Sequence, residues 1–305
     1  MPFAGIHESM VAKRDACIAT LEGSRDDGHF LYALIDLAAA TDAGHWLAGL
    51  TRAKAACSLF EWQPEAAAME VAPWLLRMDP DNARISLRHT VDESLTAWNV
   101  SWVETTLGLD ELAIRLSQRL TARVAEGEAL FRYYDPRLLP DWWGVLSHDQ
   151  QASFGAFGRR WWMLDADGSL QGFDLTGVPV NDPCQRPWQP TPEEQRVLTV
   201  ASEHQQLVSF LGKRHPDTFL DKGRGEQWRF VRRHDLQARA RHLTHLADRL
   251  RYCELALEYG DDFAGQPRWQ PAWAAMMSGD RRLAEVLKQL HAETMTSHAE
   301  SEGAA

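Results

Sequence analysis

The sequence has few of the short motifs that announce a chemistry. No G-x-S-x-G elbow presents a nucleophilic serine, and no G-x-x-x-x-G-K-[ST] loop is there to cradle phosphates. The H-E-x-x-H spacing of a catalytic zinc site is missing, and Gly155-Ala-Phe-Gly158 is too short for a dinucleotide fingerprint. Four cysteines, Cys17, Cys57, Cys184 and Cys253, form no C-x-x-C pair, which argues against a zinc knuckle or a disulfide scaffold and points to reduced thiols. No stretch approaches the roughly 20 apolar residues of a membrane span, and the N-terminal MPFAGIHESMVAKRDACIATL has no continuous apolar core of the signal-peptide kind. Positive charge is also scarce, with 32 Lys and Arg against 43 Asp and Glu, a net charge of −11. That balance opposes wholesale nucleic-acid binding. Together these absences predict a cytoplasmic chain with no cofactor, no metal, no nucleic acid and no membrane insertion.

What is present is a chain of 305 residues, 45% hydrophobic, long enough to bury the cores of two domains. The first part alternates strand and helix patterns. A helix over about His7 to Leu21 precedes the apolar run HFLYALIDLA, which reads as a buried strand ending near Asp36. CSLFEW and MEVAPWLLRM read as further strands, and the leucines of LDELAIRLSQRLTARVAEG predict one helix up to Gly127. EALFRYYD then resumes a strand over Ala129 to Tyr134. Asp135 follows as the N-cap of a new helix whose first position is Pro136; Pro140 bends or restarts it, and DWWGVLSHDQQASFGAF continues it. RRWWMLDADGSLQGFD reads as a hairpin turning at Asp167-Gly168.

Five prolines between Thr176 and Pro192 mark the best boundary, and Thr191 with Glu194 forms a capping box that starts a helix. A second helix is expected over about Gln227 to Tyr259 and a third around PAWAAMMSGDRRLAEVLKQLHAETM. The expected architecture is an α+β or α/β N-terminal lobe with a mixed sheet (1–178), a Pro-rich linker (179–192), an all-α lobe (193–290) and a tail (291–305).

Several residues stand out as candidates. Asp36 and Asp135 both follow apolar strands and could form a hydrolase's acid/base pair, although a cap for Asp135 and a salt bridge from Asp36 to Arg132 or Arg137 explain both without chemistry. Eight arginines between Arg224 and Arg251 form a local basic excess, which would suit an acidic protein partner or, less well, a nucleic acid. His204 reads as a core histidine bonded to a neighbour, and His242 and His245 share a helix face. Of thirteen tryptophans, four stand as the pairs Trp142/Trp143 and Trp161/Trp162, whose adjacent side chains diverge. Some are therefore expected at a surface that meets a partner, or else between the lobes.

The segments LYALIDLA, CSLFEWQPEAAAMEVAPWLLRMD, GEALFRYYDPRLL and FGAFGRRWWMLDADG, taken together, resemble the type VI secretion effector adaptors, the Tap/Tec chaperones. The resemblance runs in order from about Phe30 to Gly168, and R-Y-Y-D-P-R is its most specific piece. It implies a non-enzymatic protein that binds a toxic effector and loads it onto the VgrG spike. Arg132, Tyr134, Asp135, Pro136 and Arg137 match the family's corner and Asp36 its strand end, although Leu37 stands where small residues are common. The candidate partner-binding residues are then Arg132, Tyr133, Tyr134, Asp135, Arg137, Trp142 and Trp143 in the first lobe. Arg229, Arg232, Arg233 and Arg239 are those of the second. The first lobe is expected to meet the spike and the helical lobe the cargo.

Overall fold

The apolar run Phe30–Asp36 forms β1, near the middle of a six-stranded sheet, in a computed structural model that describes residues 8–24, 28–53, 55–78, 85–125, 127–184, 187–277 and 282–289. The other strands are β2 (Ala56–Ser58), β3 (Pro73–Arg77), β4 (Val100–Thr105), β7 (Gly158–Leu164) and β8 (Leu170–Gly177), in the order β2-β3-β1-β4-β7-β8. Every ladder is antiparallel, with Leu34 opposite Leu75 and Ala33 opposite Trp102, so of the two classes open from the sequence the N-terminal unit is α+β. Residues of β1 are buried on both faces, which is why it reads as an unbroken apolar run rather than as an alternation; β4 is equally buried but carries Ser101, Glu104 and Thr105. The helices of this part are α1 (Glu8–Gly23), α2 (Ala43–Leu50), α3 (Leu87–Ala97), α4 (Leu109–Ser117), α5 (Leu139–Val145) and α6 (His148–Phe154).

Several expected elements are shorter than their patterns. The CSLFEW strand stops at Ser58, where the chain enters a run of turns. The Leu109 helix stops at Ser117 rather than Gly127, because Thr121–Val124 (β5) pairs with Gly127–Leu130 (β6) in a separate hairpin. Strand pairing there overrides the helical leucine spacing. The strand expected up to Tyr134 ends at Leu130, and Pro140 sits in the first turn of α5. Ser147, with its own capping box, divides α5 from α6. The two glycines of Gly155-Ala-Phe-Gly158 permit close packing: a Cβ on either would lie 2.8 Å from a backbone oxygen, of Gln151 and of Glu104 respectively.

The chain divides into two compact units, residues 1–201 and 202–305, within α7 (Pro192–Arg214). The expected Thr191/Glu194 capping box is present. The proline-rich segment lies within the first unit and is fastened along it. Arg115 donates to the Pro179 carbonyl at 3.1 Å, Ser153 Oγ to that of Pro183 at 2.9 Å, and buried Arg119 holds Asp182 with two bonds of 2.7 and 2.8 Å. Trp188 adds a parallel bridge to Ala122.

The second unit is helical: α8 (Arg224–Ala240), α9 (Leu246–Tyr259) and α10 (Gln270–Met277), with residues 283–289 also helical. The helix expected from Gln227 to Tyr259 is two helices. His242 takes a positive φ of 60°, and the bonds from Leu243 N to Ala238 O and from His242 N to Arg239 O close a Schellman turn there. Among the described residues no helix is long and apolar enough to cross a membrane.

Candidate partner-binding site

Two carboxylates and two guanidiniums meet at the end of β1. Asp36 is fully buried; it accepts the Ala38 amide at 3.1 Å, capping a single 3-10 turn, and Arg132 Nη2 at 2.7 Å. Asp135, also fully buried, accepts the Arg137 amide at 3.0 Å and grips the Arg137 side chain through Nε at 2.7 Å and Nη2 at 2.8 Å. The same Arg132 nitrogen reaches Asp135 at 3.2 Å, and Arg137 Nη2 lies 3.7 Å from Asp36. The expected helix cap is therefore corrected: the Asp135 carboxylate closes a tight turn at Arg137, while α5 starts four residues later without a side-chain cap.

The sequence left open whether Asp36 and Asp135 approach each other, and they do, but through a shared arginine. Asp135 holds Arg137 bidentately and Asp36 accepts Arg132 through one oxygen, so both carboxylates are engaged as acceptors for arginine. Burial pushes the Asp36 carboxyl above its ordinary range, an effect opposed by Arg132 and reinforced by Asp135. Burial lowers the pKa of Arg132, but the charges of Asp36 and Asp135 outweigh it and hold the guanidinium protonated beyond the usual arginine range. The result is a fixed pair of cations whose counter-charges lie beneath them. Arg132 and Arg137 keep 37% and 22% of their side-chain surface exposed, while Asp36 and Asp135 keep none.

The aromatic candidates lie below this surface. Tyr133, Tyr134, Trp142 and Trp143 are buried, and the Tyr133 hydroxyl donates to the Leu116 carbonyl at 2.7 Å. Burial raises the pKa of both phenols. Trp142 packs edge-on against Phe131, Phe154 and Trp188, whereas Trp143 turns toward Trp161 and Phe173. Adjacent tryptophans do diverge, but into two parts of one core. Trp161 is buried, and Trp162 on the opposite face of β7 lies over Gly172, where an added Cβ would meet its ring at 2.7 Å. Of the thirteen tryptophans only Trp62 is exposed, at 49%. It was not singled out in the sequence, although Pro64 two residues on is the signal that this segment leaves the sheet.

In the helical unit the arginine excess is largely consumed. Buried Arg249 bridges Glu203 at 2.7 Å and Asp235 at 3.0 Å, and Arg239 pairs with the same two acids. His204 donates through Nε2 to the Asp235 carboxylate at 3.1 Å, the core histidine the pattern suggested. Arg233 pairs with Asp261. Arg229, Arg232 and Arg233 remain exposed on α8 beside Leu236, itself 69% exposed.

Residues 31–153 match the family model described as Domain of unknown function (DUF4123), a segment that includes Asp36, Arg132, Asp135 and Arg137. No curated protein matches the chain, and no solved structure matches it.

Proposed function

We propose that this chain is a non-enzymatic adaptor of type VI secretion that binds an effector in the cytoplasm and loads it onto a VgrG spike. The matched family is generally associated with effector adaptors of that system. The observation that carries the reading is the corner itself: the most specific piece of the resemblance is a rigid display of Arg132 and Arg137 over buried Asp36 and Asp135. Such a display costs little side-chain entropy on binding, because the guanidiniums are already held, and arginine is favoured at protein interfaces. Tyr133, Tyr134, Trp142 and Trp143 serve from beneath by fixing its position.

In this reading the lobe of residues 1–178 meets the spike through Arg132 and Arg137, and the lobe of residues 193–290 meets the effector through Arg229, Arg232 and Arg233. The test is native mass spectrometry of the tagged chain purified from its own cytoplasm. A discrete complex with a VgrG-type spike or a toxin-like protein is expected, and Arg132→Glu with Arg137→Glu should remove the spike and leave the effector bound. A bare chain, or one carrying nucleic acid, refutes the adaptor reading.

A further inference from the structure

Between β2 and β3 the chain leaves the sheet for residues 60–72 and returns, and the Leu59 amide donates to the Pro73 carbonyl at 2.8 Å across the neck. A loop of this length with joined ends is an Ω-loop, a compact surface unit whose form does not depend on a partner. Its own turns are closed by bonds from Gln63 N to Phe60 O, Ala66 N to Gln63 O and Ala68 N to Glu65 O, of 2.9, 3.1 and 2.8 Å. Gln63 Nε2 fastens it to the end of α4 by bonds of 2.9 Å to both the carbonyl and the hydroxyl of Ser117, and Trp74 Nε1 reaches the Met69 carbonyl at 3.2 Å.

This anchored loop buries Phe60 at its neck and leaves its other large apolar side chains exposed. Trp62 is 49% exposed, Val71 43% and Met69 37%. Ile114, one turn of α4 before the Ser117 anchor, is 43% exposed. Lone exposed apolar residues are ordinary, but three in one closed loop of this length, including the one exposed tryptophan, are a concentration of the kind found at interfaces. Glu61, Glu65 and Glu70 of the same loop are exposed, and none has an ion-pair partner among the described residues.

We infer that the loop of residues 60–72 is a docking surface for a basic, amphipathic segment of a partner protein, with Trp62 as its apolar anchor and Glu61, Glu65 and Glu70 as its charged rim. Charge selects this occupant. A second copy docking by the same patch would set these glutamates against their own counterparts on a chain of net charge −11, and like-charge juxtaposition at an interface is costly. The inference deepens the adaptor reading, on which the partner's identity as a secretion protein rests, whereas the surface stands on the loop alone. It also separates this contact from the arginine corner, which suits an acidic surface.

The probe is a labelled amphipathic helical peptide with leucine on one face and lysine on the other, titrated by fluorescence anisotropy against the full chain beside its leucine–glutamate counterpart. The lysine peptide should bind and the glutamate peptide should not. Trp62→Ala should weaken binding about tenfold or more, as removal of a hot-spot residue does. Glu65→Lys with Glu70→Lys should weaken it and flatten its salt dependence. Unchanged circular dichroism and urea midpoints show that the variants are folded. The inference fails if no binding occurs, if Trp62→Ala binds as the parent does, which would mean diffuse attraction to the net charge, or if sedimentation shows a Trp62-dependent dimer. If the peptide binds as expected but the chain carries neither spike nor effector, the adaptor reading falls and the surface survives.

Discussion

Replacing Asp135 by asparagine isolates what the arginine corner contributes. The carboxylate is fully buried and takes three bonds of 2.7 to 3.0 Å from Arg137, with Arg132 at 3.2 Å. Asparagine keeps one oxygen for the Arg137 amide, so the turn can persist, but its amide group then points N–H bonds at a guanidinium that has only donors. Breaking a fully buried pair costs about 3–5 kcal/mol, and an exposed pair contributes about 0–1 kcal/mol. Here the acid is buried while the arginine side chains keep 22% and 37% of their surface, so water can recover part of their loss. The expected cost is about 2–3 kcal/mol, between those limits. For a unit of about 200 residues that lowers the unfolding midpoint by about 4–12 °C.

Urea unfolding followed by tryptophan fluorescence is suitable, since ten of the thirteen tryptophans lie in the first unit. A double-mutant cycle with Arg137→Met should return a coupling of about 1 kcal/mol or more, because each single variant strands the other's charge. A change below about 0.5 kcal/mol for Asp135→Asn would refute the argument and make the corner an ordinary solvated ion pair. A gain in stability would be worse for it. Carboxylates held for chemistry are often relieved by neutralisation, and that sign would reopen the hydrolase reading.

Burial pushes the Cys17 and Cys57 thiols up to about 12, against an ordinary 9.0. At pH 8 they should therefore react with a thiol reagent about a thousandfold more slowly in the folded chain than after unfolding. Unfolded thiols ionise first, so their contribution to stability holds below about pH 9 and is lost as pH rises toward 12; alkaline titration of the urea midpoint checks the direction. Burial also depresses the pKa of His234, opposed by its contact with Asp261 at 3.1 Å, so this group's contribution is present above pH 6.5 and lost as pH falls below it. His234→Gln should flatten that acid limb in thermal unfolding of the second unit. Gly158→Ala should cost about 1–3 kcal/mol in chemical denaturation, because the new methyl meets the Glu104 carbonyl oxygen at 2.8 Å and the backbone of β4 or β7 must shift.

Within the central sheet β1 and β3 were legible because they bury both faces, and a run such as Leu31 to Ile35 can satisfy water-free surroundings only in that way, whereas β4 hides its place behind Ser101, Glu104 and Thr105. The hairpin at Asp167-Gly168 was legible from one glycine, whose φ of 79° the turn requires. The elements that differ lie where local pattern lost to a distant partner. The leucine spacing from Leu112 to Leu120 favours a helix, yet β6 takes residues 121–124 as its pair. EALFRYYD reads as extended, yet Arg132 and Asp135 are drawn to Asp36, nearly a hundred residues away, and the strand gives way to turns. No window of sequence contains that contact.

Charge and aromatic content misled for a shared reason: a count of residues says nothing of which way they face. Eight arginines from Arg224 to Arg251 looked like one basic surface, but the break at His242 gives them two helices instead of one. Arg239 and Arg249 then turn inward to Glu203 and Asp235, and Arg251 pairs with Glu254. The tryptophans behave alike. The adjacent pairs looked too crowded for one core, but β7 and α5 each send neighbouring rings in different directions, and the rings meet across the layers. What reaches solvent is instead the residue that a broken strand left behind, Trp62, together with the arginines that buried aspartates hold in place. Binding surfaces of opposite chemistry follow from the same rule, since in each case a rigid interior element fixes a side chain that would otherwise be free to fold away.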